Sequence, residues 1–338
     1  MTTRITLAAV RSEPGAASAR AAERTPSTVE DALALAIDFA QLGAVPGDGT
    51  TLDQWEALAT VAAADLGAAR ALEPHLDAVA ILRQAGAALP PGTLGVFAAE
   101  GGDAPLMGSE TADGWQLTGT KPWCSLADRL DAALVTAAVG DGPRQLFAVE
   151  LADPGVTVLP GAWEARGLVE IPSGPVRFDR VPATPVGAPG WYLERPGFAW
   201  GGIGVAACWY GGAVGIARTV HAAAATKPNP HLLAHLGAID ELLQSSRRAL
   251  AEAAALIDGP DSEALDARLL AKRVRATVAR ACEEIIDRAG HALGPAPLAL
   301  DGAHAKRVAD LALYVRQHHA ERDQQSLGEA LAKGGAPW

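Results

Sequence analysis

The spacing of apolar positions changes twice along this chain. From Val29 to Leu42 and from Leu52 to Ala85, Ala and Leu recur at three- and four-residue intervals, the stripe of amphipathic helices. Thr51, with Gln54 three residues on, reads as an N-cap, and Gly86 with Pro90-Pro91-Gly92 closes the region. From Thr93 to about Pro189 the runs shorten and favour strands: Leu94–Ala98, Trp115–Thr120, Ala132–Ala138, Gln145–Glu150, Val156–Leu159 and Val176–Phe178, divided by Gly, Pro and Asp. Spacing of this kind predicts an antiparallel barrel or sandwich. From Gly197 onward the helical period returns over 200–226, 230–257, 261–292 and 302–333, with turns at Lys227-Pro228-Asn229-Pro230, Gly259-Pro260 and Gly294-Pro295. Antiparallel helices joined by such short loops predict a four-helix bundle. Residues 1 to about 25, rich in Ala, Arg, Ser and Pro, are expected to be loosely ordered. The pattern describes an α+β chain with an N-terminal helical domain (1–92), a middle β-domain (93–190) and a C-terminal bundle (191–338).

Charge and composition narrow the partners. Gly197 to Ala217 carries no charged residue and has the length of a bilayer span, which takes about 20 residues. It is built of Gly and Ala more than Leu or Ile, so its drive into lipid is weak, and small residues suit close helix packing; it reads as a buried bundle helix with no membrane role. Net charge is −11 and no basic block appears, which argues against nucleic acid and anionic lipid surfaces. The three cysteines, Cys124, Cys208 and Cys282, are odd in number and widely separated, which speaks against a disulfide framework and for a reducing cytoplasm. No continuous apolar run near the N-terminus suggests a signal peptide.

The chemistry concentrates in Trp115-Gln116-Leu117-Thr118-Gly119-Thr120-Lys121-Pro122-Trp123-Cys124-Ser125, followed by a polar turn and an apolar strand to Ala137. This segment resembles the middle β-domain of acyl-CoA dehydrogenases. Asp153-Pro154-Gly155-Val156 and the run from Trp163 to Gly167, then Gly174 to Val181, are similar to other strands of that domain. The resemblance covers about residues 50 to 330. It implies the family's fold, with Trp123 packed on a flavin ring and Ser125 hydrogen-bonded near its N5 edge. It also implies FAD as cofactor, an acyl-CoA thioester as substrate, and a homodimer or homotetramer. Ala99 and Glu100 fall in the loop (Ala98 to Asp103) that matches the family's flavin and substrate cradle, and Gly294 ends the stretch Arg288 to Gly294 that matches its diphosphate turn.

The same resemblance marks departures. The family's carboxylate base follows a stretch matched here by Asp310 to Tyr314, and its position falls on His318; the other base position used in the family falls near Val205. Glu321 is the carboxylate beside the first position, brought into range only by a shifted helix. The family's Arg and Gln anchors fall at Thr226-Lys227-Pro228 and Leu236, which points to FMN, or to no flavin, as alternatives to FAD. His75 and His318 resemble in position the histidines of a related branch, the two-component flavin monooxygenases that oxidise thiophenes and phenols; His is suited to moving a proton near neutral pH. Three functions therefore stand: acyl-CoA dehydrogenation, a reduced-flavin monooxygenase, and a partner subunit of a heteromer that has lost flavin chemistry. Glu283 and Glu284 lack the Glu-x-x-His pairs of a di-iron bundle. Gly202-x-Gly204-x-x-Ala207 follows no strand, which excludes a dinucleotide fingerprint, and no metal-ligand cluster is apparent.

Overall fold

The structure, a computed structural model, describes residues 3–9, 13–101, 104–161 and 163–334. The N-terminal section holds α1 (Ala16–Glu23), α2 (Val29–Gln41), α3 (Thr51–Ala64) and α4 (Leu66–Ala85). The expectation of a loose N-terminus is corrected. Ile5 and Leu7 are buried, with their N–H groups donating to Thr60 Oγ1 (3.0 Å) and Glu56 Oε1 (2.7 Å). Asp53 of α3 accepts from Ala17 N and Ser18 N, both at 2.9 Å, which satisfies free donors at the positive end of α1. Thr51 is the first helical residue and not the cap; its hydroxyl donates to Asp258 Oδ1 (2.6 Å). The helical run expected to Ala85 divides at Asp65, which is extended and caps α4 by accepting from Ala68 N at 2.9 Å.

The middle section is a barrel of β1 (Leu94–Phe97), β2 (Met107–Thr111), β3 (Gly114–Ser125), β4 (Ala132–Ala137), β5 (Gln145–Glu150), β6 (Val156–Val158) and β7 (Ser173–Val186). The strand order is β1-β4-β5-β7-β3-β2, with β6 beside β7; among the described strand pairs β1–β4 is parallel and the rest are antiparallel. Gly108 N donates to Ala138 O and Ala138 N to Leu106 O, both at 2.8 Å, so the start of β2 is bridged back to the chain just after β4. β2 was not expected, and β7 extends well beyond the expected Val176–Phe178.

The last section begins with α5 (Trp191–Glu194) and the long α6 (Pro196–Thr226), then α7 (Pro230–Ile257), α8 (Ala267–Leu293), α9 (Pro295–Leu300), α10 (Gly302–Tyr314) and α11 (Glu321–Lys333). Among the described residues α6 is the one helix long and apolar enough to cross a membrane, and 78% of its apolar stretch is buried inside the protein. It packs backbone to backbone on α3: a Cβ at Gly211 would overlap the Ala59 carbonyl oxygen, and one at Gly215 would lie 2.9 Å from Ala63 O. Gly211→Ala should therefore cost about 1–3 kcal/mol, the usual range for overpacking, read as a lower urea midpoint. The helix expected over 302–333 is interrupted. A 3₁₀ turn at Val315–Gln317 leads to extended His318 and left-handed Ala320 (φ 45°) before α11.

Candidate functional site

β3 ends in an irregularity. Its register on β7 shifts between Lys121 and Cys124, and Trp123 inside that bulge adopts φ 59°, the left-handed region. A bulky residue held there carries roughly 1–2 kcal/mol of strain. The indole is nonetheless 59% exposed. Lys121 turns the other way and is 1% exposed; its ammonium donates to Glu100 Oε1 and Thr136 Oγ1, both at 2.8 Å. Glu100 also pairs with Arg144. Burial raises the pKa of Glu100, but the bonds from Lys121, Arg144 and Thr136 outweigh it and hold the carboxyl below its ordinary value. Glu100 is thereby engaged beneath the site, while exposed Ala99 and Gly101 border it: a Cβ on Gly101 would stand 4.0 Å from Trp123 Nε1. Gly102 and Asp103 of the same loop lie outside the described residues.

Ser125, one residue pair beyond, faces the helices. Arg70 Nη2 donates to Ser125 Oγ (3.0 Å), Ser125 and Ser173 hydroxyls lie 2.7 Å apart, and Ser173 Oγ donates to Ile171 O (3.1 Å). A hydroxyl has one proton to give, so Ser125 is the donor to Ser173, and the chain is polarised from Arg70 through both serines. The Arg70 guanidinium lies 5.7 Å over the Tyr314 ring, a cation–π contact, and its Nη1 is buried without a partner. Tyr314 meets Trp209 edge to face at 6.3 Å, and Arg275 covers Trp209 at 4.7 Å while donating to Gly202 O and to Gln317 O. Glu73, one turn from Arg70 on α4, is buried among these groups. Burial raises its pKa to about 7, with Arg70 and Arg275 opposing and Asp77 reinforcing the rise.

Gly101 of the Ala98–Gly101 loop lies beside Trp123, Ser125 two residues on bonds to Arg70 and Ser173, and the other candidates stand elsewhere in the fold. His75 has structural work of its own: its Nδ1 accepts from Leu94 N at 3.1 Å, locking α4 to β1 as the neutral Nε2–H tautomer. Burial lowers its pKa to about 4. His75→Ala should cost about 2 kcal/mol or more, because the buried Leu94 N–H loses its acceptor, and His75→Asn should recover part of it. The contribution from this lowered pKa is present above about 6.5 and lost as pH falls to about 4, which urea melts at pH 4.5 and 7 will register.

His318 is buried in the break between α10 and α11. Its Nδ1 accepts from Ala320 N (3.3 Å), its Nε2 lies 3.9 Å from Asp323 Oδ2 without a hydrogen-bond partner, and burial lowers its pKa. The ring thus turns toward α11. Glu321, considered as a base, is exposed at the first position of α11 and takes no part in the bonds around Ser125 and Tyr314. Gly294 joins α8 to α9 with φ 68° and open space around it. Among the described residues no three His, Cys, Asp or Glu side chains converge to hold a metal ion. Arg70, Glu73, Ser173, Arg275 and Tyr314 were not singled out from the sequence. Their one sequence signal is on α4, where Arg70, Glu73 and Asp77 place charge on one face of an Ala- and Leu-rich helix.

No protein-family model matches the chain, and no curated protein sequence matches it significantly. Solved structures do. Butyryl-CoA dehydrogenase of Megasphaera elsdenii superposes with TM-score 0.77 at 17% identity, over 88% of this chain and 90% of that one. KijD3, in complex with FMN and dTDP-3-amino-2,3,6-trideoxy-4-keto-3-methyl-D-glucose, gives 0.76 at 21% identity, over 92% and 87%. FMN-bound TdsC of Paenibacillus sp. A11-2, a dibenzothiophene monooxygenase, gives 0.72 at 19% identity, over 82% of each chain. The chain has the acyl-CoA dehydrogenase fold.

Proposed function

We propose that the chain is a flavin-dependent oxidoreductase acting on a small molecule, and that its reaction is oxygenation by a reduced flavin. The observation that carries the flavin reading is Trp123: a strained, exposed indole two residues before Ser125, whose hydroxyl accepts from a guanidinium with a spare donor, suits a planar, polar ring. In this reading Trp123 covers one face of the ring, Ser125 and Arg70 supply donors at its edge, and Gly101 gives the backbone room to approach. A bound flavin supplies two-electron redox chemistry, accepting hydride from a substrate or, when reduced, reacting with oxygen. KijD3 and TdsC, which hold FMN, and butyryl-CoA dehydrogenase share the fold, so both FMN and FAD are candidates.

Oxygenation is favoured over acyl dehydrogenation by what occupies the α10–α11 break, where His318 turns toward Asp323 of α11 and Glu321 faces solvent. Acyl-CoA dehydrogenation is the second reading, supported by the backbone likeness to butyryl-CoA dehydrogenase and by Glu73 as a buried carboxyl. A homodimer or homotetramer built through the bundle, or a heteromer, belongs to the same proposal.

Titration of the purified protein with FMN and FAD, oxidised and reduced, tests it through flavin absorbance and tryptophan fluorescence. Binding is expected, and Trp123→Ala should weaken it about tenfold or more, since stacking on an aromatic side chain is worth roughly 1–3 kcal/mol. Oxygen consumption by the reduced complex, without anaerobic bleaching by acyl-CoAs, supports oxygenation; bleaching supports the second reading. No binding of any flavin in any redox state overturns both.

A further inference from the structure

One face of α4 carries polar side chains where a bundle helix ordinarily carries leucine: Glu73 is buried, Arg70 and Asp77 are half-buried and Gln84 is exposed. Arg70, Glu73, Asp77 and Gln84 follow one another at helical spacing along that face, which meets α6. α6 answers with glycine. A Cβ at Gly197 would collide with Gln84 Oε1, one at Gly201 would lie 2.8 Å from Asp77 Oδ1, and one at Gly204 would stand 3.5 Å from Trp55 Nε1. The cleared space leaves a cavity of about 20 Å³ bordered by Trp55, Glu73, Asp77, Arg195 and Trp200, enough for one water. Three donors on those residues, Trp55 Nε1, Trp200 Nε1 and Arg195 Nε, are buried without a partner, and Trp55 is wholly buried. At the outer end Arg195 donates to Gln84 Oε1 (2.6 Å) and Asp77 Oδ1 (3.5 Å); at the inner end Glu73 is one turn from Arg70, which donates to Ser125.

We propose that this row is a water-holding proton conduit, with Glu73 the side chain that passes a proton between the cavity water and the centre lined by Arg70 and Ser125. The proposal depends on the redox reading above for its purpose and not for its existence. The step moves no electrons: the Glu73 carboxyl O–H bond breaks and the proton goes to the reacting group; the carboxylate then takes a proton from the cavity water, and the hydroxide so formed takes one from solvent past Asp77 and Gln84. The ionisable groups around Glu73 are Arg70 and Asp77 on α4, Tyr192 on α5, Arg195 just before α6 and Cys208 on it, Arg275 on α8 and Tyr314 on α10. Burial pushes the pKa values of Tyr192, Cys208 and Tyr314 upward, so they stay neutral at pH 7, and Glu73 is the member of the set poised near neutrality.

Two measurements decide it. In flavin-free protein labelled with ¹³C at the glutamate carboxyls, NMR should show one carboxyl titrating near pH 7, absent from Glu73→Gln; titration of every glutamate in the ordinary acid range overturns the proposal. With flavin bound, dye-monitored proton uptake on rapid chemical reduction should slow about a hundredfold in Glu73→Gln, the scale of a lost proton-transfer group; an unchanged uptake rate also overturns it. Failure of every flavin to bind defeats the redox reading but leaves the NMR result decisive for Glu73. If Glu73→Gln does not fold, Glu73→Asp serves for assignment, because its glutamate resonance is likewise lost.

Discussion

Asp310→Ala should lose about 3 kcal/mol of folding stability at pH 7, and Asp310→Asn should recover most of it. Asp310 is 1% exposed and each oxygen has one strong donor: Oδ1 accepts from Leu168 N at 2.6 Å, Oδ2 from Lys306 Nζ at 2.6 Å. Lys306 also reaches Asp65 at the start of α4 and Glu170 in the loop before β7, and these carboxylates together raise the pKa of its ammonium despite partial burial. Three sections of the chain thus meet at one cation. The loop is pressed hard against α10, since a Cβ at Gly167 would overlap the Ala309 carbonyl. Removing the Asp310 carboxyl strands the buried Leu168 N–H, and that orphaned donor dominates the loss. Lys306, partly exposed, keeps its two other carboxylates and adds little. Asparagine keeps the acceptor for Leu168 and loses only the charge, so urea melts of the two variants separate hydrogen bond from ion pair. Equal losses in both would assign the stability to charge. Tyr314 lies one turn further along α10, so the alanine variant should also disturb the ring beneath Arg70.

The order of helices, barrel and helices was legible because apolar period is a local property, and the short apolar strands bounded by polar residues, such as Gln145–Glu150, fell where the pattern put them. What the pattern concealed depends on partners distant in sequence. β7 contains Pro175, Pro182 and Pro185 with Arg177, Asp179 and Arg180 between them, a composition that reads as loop until β3, β5 and β6 supply its pairing. β2 is mostly exposed and has almost no apolar signal. α1 is eight residues long and depends on Asp53, which arrives from α3. No glycine or proline announces the break after Tyr314; Arg275 on α8 holds it open by taking the Gln317 carbonyl. The site divides in the same way. Trp123 and Ser125 sit in one contiguous motif. Arg70 acquires meaning only once Ser125 presents its hydroxyl, and Glu73 only once the glycines of α6 clear the cavity it borders.

Between pH 4.5 and 8 Glu73→Gln should gain about 3 kcal/mol of stability relative to the parent, with near equality at the acid end. The Glu73 carboxyl titrates at 4.5 when the chain is unfolded and at about 7 when folded. Over that interval the folded state holds a proton that the unfolded state has released, so the stabilisation is fully present below about 4.5 and is lost as pH rises through about 7. At 1.36 kcal/mol per pH unit, a rise of roughly two and a half units gives the figure stated. Glutamine imitates the protonated carboxyl and has no proton to lose, so it escapes the penalty of ionising in the core. The parent alone does not display this slope cleanly, because His75, with its pKa lowered to about 4, tilts stability the opposite way over much of the same range. His75 is common to both proteins, and the difference between their urea melts at each pH isolates Glu73. A difference that stays flat from pH 4.5 to 8 would mean that Glu73 ionises as an ordinary surface carboxylate, and would remove it from the proton path as well as from the stability balance.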